Sequence, residues 1–223
     1  MQPFITRKTV TPAAGRAPGI PSALERGWIL MAKNANDTCT KIIRAAWELF
    51  YENGYDDTTV DDIVARSGTS KGSFYHYFSG KDALLGSLST LFDDQYRVLG
   101  EALDPAMNSF DKLILLNREL FFMIENSVSL ELLTRMLSTQ LTTSSERHLL
   151  DRSRFYFKLL RRICTEGQQR GELRDDIPVT EMIRSYALLE RALMYDWCIC
   201  GGTYSLSQDA SVQLPRYLAY LKK

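Results

Sequence analysis

From about residue 37 to the end of the chain, apolar residues recur at three- and four-residue intervals, which is the period of an amphipathic helix. Ile43, Ala46, Trp47 and Phe50 sit at i, i+3, i+4 and i+7 and define a first helix, which Asn53-Gly54 ends with residues tolerant of a left-handed backbone. Thr58-Thr59 followed by Asp61-Asp62 offers a capping box in either register, opening a second helix through Ile63 and Val64 that stops at Gly68. Ser70 caps a short third helix from Lys71 to about Phe78. Ser79 with Asp82 forms another box, predicting one longer helix through Leu84, Leu85, Leu88 and Leu91. Beyond it, Phe110–Ile124, Val128–Leu141, Leu149–Glu166, Val179–Ile199 and Leu206–Leu221 are helix candidates. Only Pro105, Pro178 and Pro215 interrupt this region, and alternating β-branched runs are scarce, so the expected class is all-α.

The first 35 residues read differently. Pro3, Pro12, Pro18 and Pro21, with Gly15 and Gly19, leave no hydrophobic period, and disorder is expected there. Arg7, Lys8, Arg16, Arg26 and Lys33 face only Glu25, so the segment is either a solvated basic tail or an arm that follows a DNA groove; Met31 is an alternative start. The 223 residues carry 27 Lys and Arg against 27 Asp and Glu, so net charge announces no partner, while 45% hydrophobic content excludes a disordered chain. No apolar run approaches the roughly 20 residues of a membrane span, and four cysteines are too few for a disulfide scaffold. A cytoplasmic protein with reduced thiols and no membrane partner is the expectation.

Two short helices joined by a Gly-containing turn and braced by an earlier helix make a helix-turn-helix. The second presents small polar residues and the helix N-terminus first, which suits approach to a DNA phosphate. Lys71 at that end opposes the helix dipole, a local violation that an anionic partner would explain. The residues Thr59-Val60-x-x-Ile63, Ser67-Gly68-x-Ser70-Lys71-Gly72-Ser73-Phe74-Tyr75-His76-Tyr77-Phe78 and Lys81-Asp82-Ala83-Leu84-Leu85 resemble the DNA-binding domain of TetR/AcrR-type transcriptional regulators over about 50 residues. Thr69 and Val64 depart from that pattern, where valine and alanine are more usual.

The resemblance implies three N-terminal helices for DNA, a linking fourth, and a C-terminal domain that dimerises and holds an inducer. Domains are therefore expected at residues 1–35 (tail), 36–82 (helix-turn-helix) and 83–223 (ligand binding and dimerisation). It places DNA contact on Thr59, Ser70, Lys71, Gly72, Ser73, Tyr75, His76, Tyr77 and Lys81. Lys71 and Lys81 are expected as phosphate clamps, Ser73 and His76 at base edges, and Tyr75 or Tyr77 either on DNA or in the core. Across residues 37–85 acids outnumber bases, so binding is expected to use an acid-free stretch from Gly68 to Lys81.

In the C-terminal region Phe121, Phe122, Tyr156, Tyr186, Met194 and Trp197 are candidate walls for a small apolar inducer, against the plainer reading of ordinary core. The last two segments are apolar on more than one face, and the resemblance implies that they pair with their symmetry mates in a homodimer. Cys164, Cys198, Cys200 and His148 do not match structural zinc spacing, so neither metal nor cofactor is expected and a thiol sensor is a minor alternative. No phosphate-cradling loop or nucleophile elbow supports an enzyme. The contrasting class is a DNA-organising protein without an inducer.

Overall fold

The computed structural model describes residues 37–142 and 147–223, and the basic arm and Met31 lie outside the described residues. Among the described residues every regular element is helical, with one isolated bridge between Leu173 and Lys222. Three helices come first: α1 (Thr38–Asn53), α2 (Val60–Ser67) and α3 (Lys71–Tyr77). The buried stripe of α1 is Ile42, Ala45, Ala46, Trp47, Leu49 and Phe50, and Ile43 sits half-buried at its edge. Gly54 at φ 89° turns the chain out of α1 and Gly68 at φ 65° ends α2, both in the left-handed region that glycine enters without a Cβ penalty. The capping box takes the Thr59–Asp62 register, because Thr58 is buried with its Oγ1 donating to the Gly54 carbonyl.

The long fourth helix expected from residue 79 onward is broken. A short α4 (Lys81–Leu84) and α5 (Ser87–Ala102) are separated by a tight turn at Leu85-Gly86. Backbone bonds here have three-residue spacing, and the Ser87 and Ser89 hydroxyls donate to the Leu84 and Gly86 carbonyls. Hydroxyls competing for main-chain acceptors in this way bend or interrupt a helix. Nor does Ser79 cap: α4 starts from Gly80 without a side-chain cap, and the Asp82 carboxylate instead accepts from the Tyr55 hydroxyl.

The remainder is a helical sandwich of α6 (Ser109–Ser127), α7 (Leu130–Thr142), α8 (Phe155–Gln169), α9 (Val179–Ile199) and α10 (Leu206–Tyr217). The segment expected to be helical from Leu149 is split: His148–Leu150 forms a single 3-10 turn, and Asp151 accepts from the backbone and hydroxyl of Ser153 before α8 begins. Central α6 packs on α5, α8 and α10, with Leu113, Leu116, Leu120, Phe121 and Ile124 buried. Apolar packing is continuous across residues 82–83, since Leu84, Leu85 and Leu88 belong to the same buried cluster as α1 and α6. A Cβ on Gly167 would lie 2.6 Å from Leu173 Cδ1 and 2.7 Å from Ser109 Cβ, so α8 approaches its neighbours as closely as only glycine permits. Gly167→Ala is expected to destabilise the fold by about 1–3 kcal/mol through overpacking, read as a fall of several degrees in Tm.

Candidate nucleic-acid interface and the cavity behind it

Recognition helix α3 is set by one anchor and one cap. Phe74 is fully buried and packs against Phe78 at 5.8 Å between ring centroids, a burial that contributes about 1.5–3 kcal/mol. At the N-terminus Ser70 Oγ accepts from the Ser73 backbone N–H at 3.0 Å and lies 2.9 Å from Ser73 Oγ. With Phe74 inward, Lys71, Gly72, Tyr75, His76 and Tyr77 face outward and Ser73 is half-buried. Tyr75 is 57% exposed and Tyr77 44%, so neither is core. His76 packs edge-on against Tyr77.

Besides Ser70 and Ser73, three more of the expected contact residues already have partners within the protein. Thr59 Oγ1 accepts from the Asp62 N–H and donates to Asp62 Oδ2 at 2.6 Å, so its hydroxyl serves the cap of α2. Lys71 pairs with Asp61 at 2.7 Å, and this partner raises the lysine pKa. The stretch that is free of acids along the sequence therefore has an acid beside it in space. Both side chains are well exposed, so exchange of Asp61 for a phosphate costs little. Lys81 differs more from expectation: its ammonium donates to the carbonyls of Tyr55, Asp56 and Thr58 at 2.6, 3.2 and 2.9 Å and lies over the Tyr55 ring. It closes the α1–α2 turn instead of standing free.

Gly72 has no internal reason to be glycine. An added Cβ would meet only Ser70 Oγ, at 3.7 Å, and the residue is helical, where glycine is disfavoured by about 1 kcal/mol relative to alanine. A bare backbone at the exposed start of α3 is what close approach of another molecule requires.

The three-helix unit is tied to the rest of the protein by side chains. Trp47 Nε1 donates to Ser87 Oγ at 2.8 Å, Tyr51 Oη donates to the Ser127 carbonyl at 2.7 Å, and Arg135 pairs with Asp56. At the α4–α5 break, the His148 ring lies directly against Gly86, within the space a Cβ would fill. Arg154 binds Asp93 Oδ1 at 2.7 Å and the Ser89 carbonyl at 3.0 Å, and both charged side chains are about nine-tenths buried.

Behind this junction, α5, α6, α8 and α9 enclose a cavity of about 20 Å³. Of the six expected wall residues, Tyr156 and Met194 line it, and Tyr186 is buried 6.5 Å from Tyr156 between ring centroids. Phe121 is core, outside the cavity lining. Phe122 is 58% exposed and lines a separate open groove between α6 and α10, because it is turned about 100° around the α6 axis from Phe121. Trp197 donates to the Tyr204 carbonyl near the far end of α9.

Residues missing from the sequence expectation dominate the cavity. Glu190 is buried, and its Oε1 accepts from Tyr96 Oη at 2.5 Å and Asn117 Nδ2 at 3.2 Å. Burial raises its pKa, only partly opposed by those hydrogen bonds, by the approach of Tyr156 and by the charge of Arg154. A signal for it existed: Met182, Ile183, Tyr186, Ala187, Leu193, Met194 and Trp197 mark the buried face of α9, and Glu190 stands where that period calls for an apolar residue. As for the thiols, Cys164 is buried and its pKa pushed up to about 12, and among the described residues no cluster of His, Cys, Asp or Glu is arranged to hold a metal.

Residues 42–88 match the family described as bacterial regulatory proteins, tetR family. The chain is 28% identical over 140 residues to the fatty acid metabolism regulator protein of Bacillus subtilis, spanning 62% of this chain and 72% of that one. It is 29% identical over 146 residues to the transcriptional repressor DhaR of Mycobacterium sp., spanning 61% and 70%. Its fold is that of Thermus thermophilus FadR in complex with lauroyl-CoA, with a TM-score of 0.69 and 24% identity over 81% of this chain and 93% of that one. Bacillus subtilis FadR in complex with stearoyl-CoA superposes with a TM-score of 0.60 at 24% identity over 82% and 99%. No helix among the described residues is long and apolar enough to cross a membrane.

A buried acid with a raised pKa is protonated alike in folded and unfolded chains at low pH and opposes folding once pH rises above its unfolded value. Glu190→Gln is therefore expected to raise Tm more at pH 8 than at pH 4, with the difference growing across the interval above about pH 4.3. Thermal unfolding of both proteins across that pH range measures it.

Proposed function

We propose that the chain, whose residues 42–88 match the tetR family of bacterial regulatory proteins, is a member of that family and a cytoplasmic, homodimeric repressor released from its operator by a small, largely apolar inducer. The observation that carries the DNA-binding part is the outer face of α3, where Ser70, Lys71, Gly72, Tyr75, His76 and Tyr77 are exposed, with half-buried Ser73 among them, on a helix anchored by Phe74. Lys71 and the backbone at Gly72 meet phosphates, while Ser73 and His76 reach base edges and Tyr75 and Tyr77 add phosphate contacts. Lys81 and Thr59 act behind that face, holding α2 and the turn before it.

A dimer is supported by α9. Ser185, Leu188, Ala192, Tyr195 and Ile199 follow one another at alternating spacings of three and four, and Leu188 and Ile199 are 60% and 81% exposed. Leu188, Ala192 and Ile199 are exposed along that stripe and Ser185 and Tyr195 half-buried at its edge, a period that suits the seam of a helix pair. Two-fold pairing sets two α3 helices on successive major grooves, about 34–36 Å apart, on a pseudo-palindrome.

Induction follows from the junction. Leu149 and Arg154 line the cavity, and the same short segment lays His148 on Gly86 and holds the Ser89 carbonyl. A ligand that enlarges the cavity moves this segment, loosens the α4–α5 break and changes the separation of the α3 helices. Couplings of about 1–3 kcal/mol suffice. Acyl-CoA thioesters, bound by the two FadR proteins, are natural first probes.

Selection of bound DNA from a random pool is expected to return a pseudo-palindrome; enrichment without symmetry would refute the dimeric reading. On that DNA, Lys71→Ala is expected to weaken specific and non-specific binding alike, and Gly72→Ala to raise Tm while weakening binding at least tenfold. Leu188→Glu is expected to yield monomers at micromolar concentration by sedimentation, with operator affinity lost.

A further inference from the structure

Within the cavity, one buried polar atom is left without a close hydrogen-bond partner. Tyr156 is buried, and its hydroxyl has no hydrogen-bond partner among the described residues. Glu190 is an acceptor close enough to raise the pKa of Tyr156, but the carboxyl makes its close bonds through Oε1 with Tyr96 and Asn117, and the Tyr156 hydroxyl stands outside that distance. A partnerless hydroxyl in a dry site destabilises the protein that carries it, and phenylalanine would occupy the same space without that cost. Arg154 does not relieve it, being committed to Asp93 and Ser89.

Tyr156 and Glu190 both line the cavity of about 20 Å³, which is room for one water-sized group. Phe92, Leu120, Leu149 and Met194 supply apolar walls, and the side chains of Arg154 and Arg191 complete the lining. A hydroxyl is the group that suits such a place: its oxygen accepts from Tyr156 Oη and its hydrogen is donated to Glu190. An unadorned alkyl chain would leave Tyr156 unpaired.

We propose that this pocket reads a hydroxyl group, and that the effector is an alcohol or phenol carried on an apolar skeleton, its oxygen held between Tyr156 and Glu190. This rests on the inducible-regulator reading for its consequence at DNA, though not for binding. Sites built to hydrogen-bond a ligand hydroxyl discriminate against the analogue lacking it far more strongly than apolar pockets discriminate a methylene.

The test uses the full chain, with 4-propylphenol, propylbenzene and lauroyl-CoA as probes, thermal unfolding as the binding readout, and anisotropy of the selected DNA as the regulatory one. The phenol is expected to raise Tm and release DNA at a concentration at least tenfold below that of propylbenzene. Tyr156→Phe is expected to raise Tm without ligand, retain DNA binding, and lose at least tenfold in its response to the phenol. A lower Tm for Tyr156→Phe would show that the hydroxyl is satisfied within the fold and would overturn the proposal. So would no response to the phenol, equal responses to phenol and propylbenzene, or release by lauroyl-CoA that is unchanged in Tyr156→Phe. Failure of the wild-type protein to bind any DNA would fall on the regulator reading alone, since the unfolding measurements decide the pocket independently.

Discussion

The hydrogen bond from Trp47 to Ser87 is the contact on which the rest of the architecture turns. Ser87 Oγ accepts from the indole of α1 and donates to the Leu84 carbonyl, so one hydroxyl both breaks the helix after α4 and fastens the three-helix unit to α5. A continuous helix through residues 81–102 would turn Ser87 away from that position by committing it to an unbroken ladder. The break also exposes Gly86 to His148, which brings the loop before α8 against the unit that carries α3. DNA-facing and cavity-lining parts are thus separated by a few side chains, each a buried or half-buried contact.

Charge in the helix-turn-helix unit is a matter of commitment more than of number. Lys81 is consumed by three carbonyls, Arg66 by Glu48 and Glu52, and Lys71 is held by the weakly bound, exposed Asp61. A cation whose partner is easily exchanged is available to a phosphate, whereas one chelated by main-chain oxygens is structural. The overall acidity of residues 37–85 is therefore compatible with a DNA-facing surface, because many of the acids lie on α1 and in its following turn, away from α3 in sequence and partly neutralised by Arg66 and Arg135.

The C-terminal half keeps polar groups where packing alone would exclude them. Glu190, Asn117 and Tyr96 form a bonded set, Asp93 and Arg154 another, and Tyr156 is left over between them. Such groups weaken a core that leucine and phenylalanine could fill, and one of those without a close partner, Tyr156, lines the cavity. Stability is thereby given up at the place where a ligand can restore it.

Local signals in the sequence were sufficient for the elements whose ends are decided within a few residues. The Thr59–Asp62 box, the Gly68 stop, the Ser70 cap and the periodic stripe of α1 all act through neighbours one turn away, and helices followed where they pointed. The face of α3 was legible in part, since Phe74 and Phe78 at i, i+4 mark its inner side, but Tyr75 and Tyr77 stayed open between DNA and core until the structure placed them outside. What the sequence alone could not decide were relations between residues tens of positions apart: Lys81 with Tyr55, Ser87 with Trp47, Glu190 with Tyr96 and Asn117. Each replaces a local preference by a distant partner, as when Asp82 leaves its box for Tyr55. Periodicity determined that this is a helical protein with an outward-facing third helix. The tertiary structure determined which charges are free and which polar groups are enclosed, because burial and pairing depend on what the chain folds against.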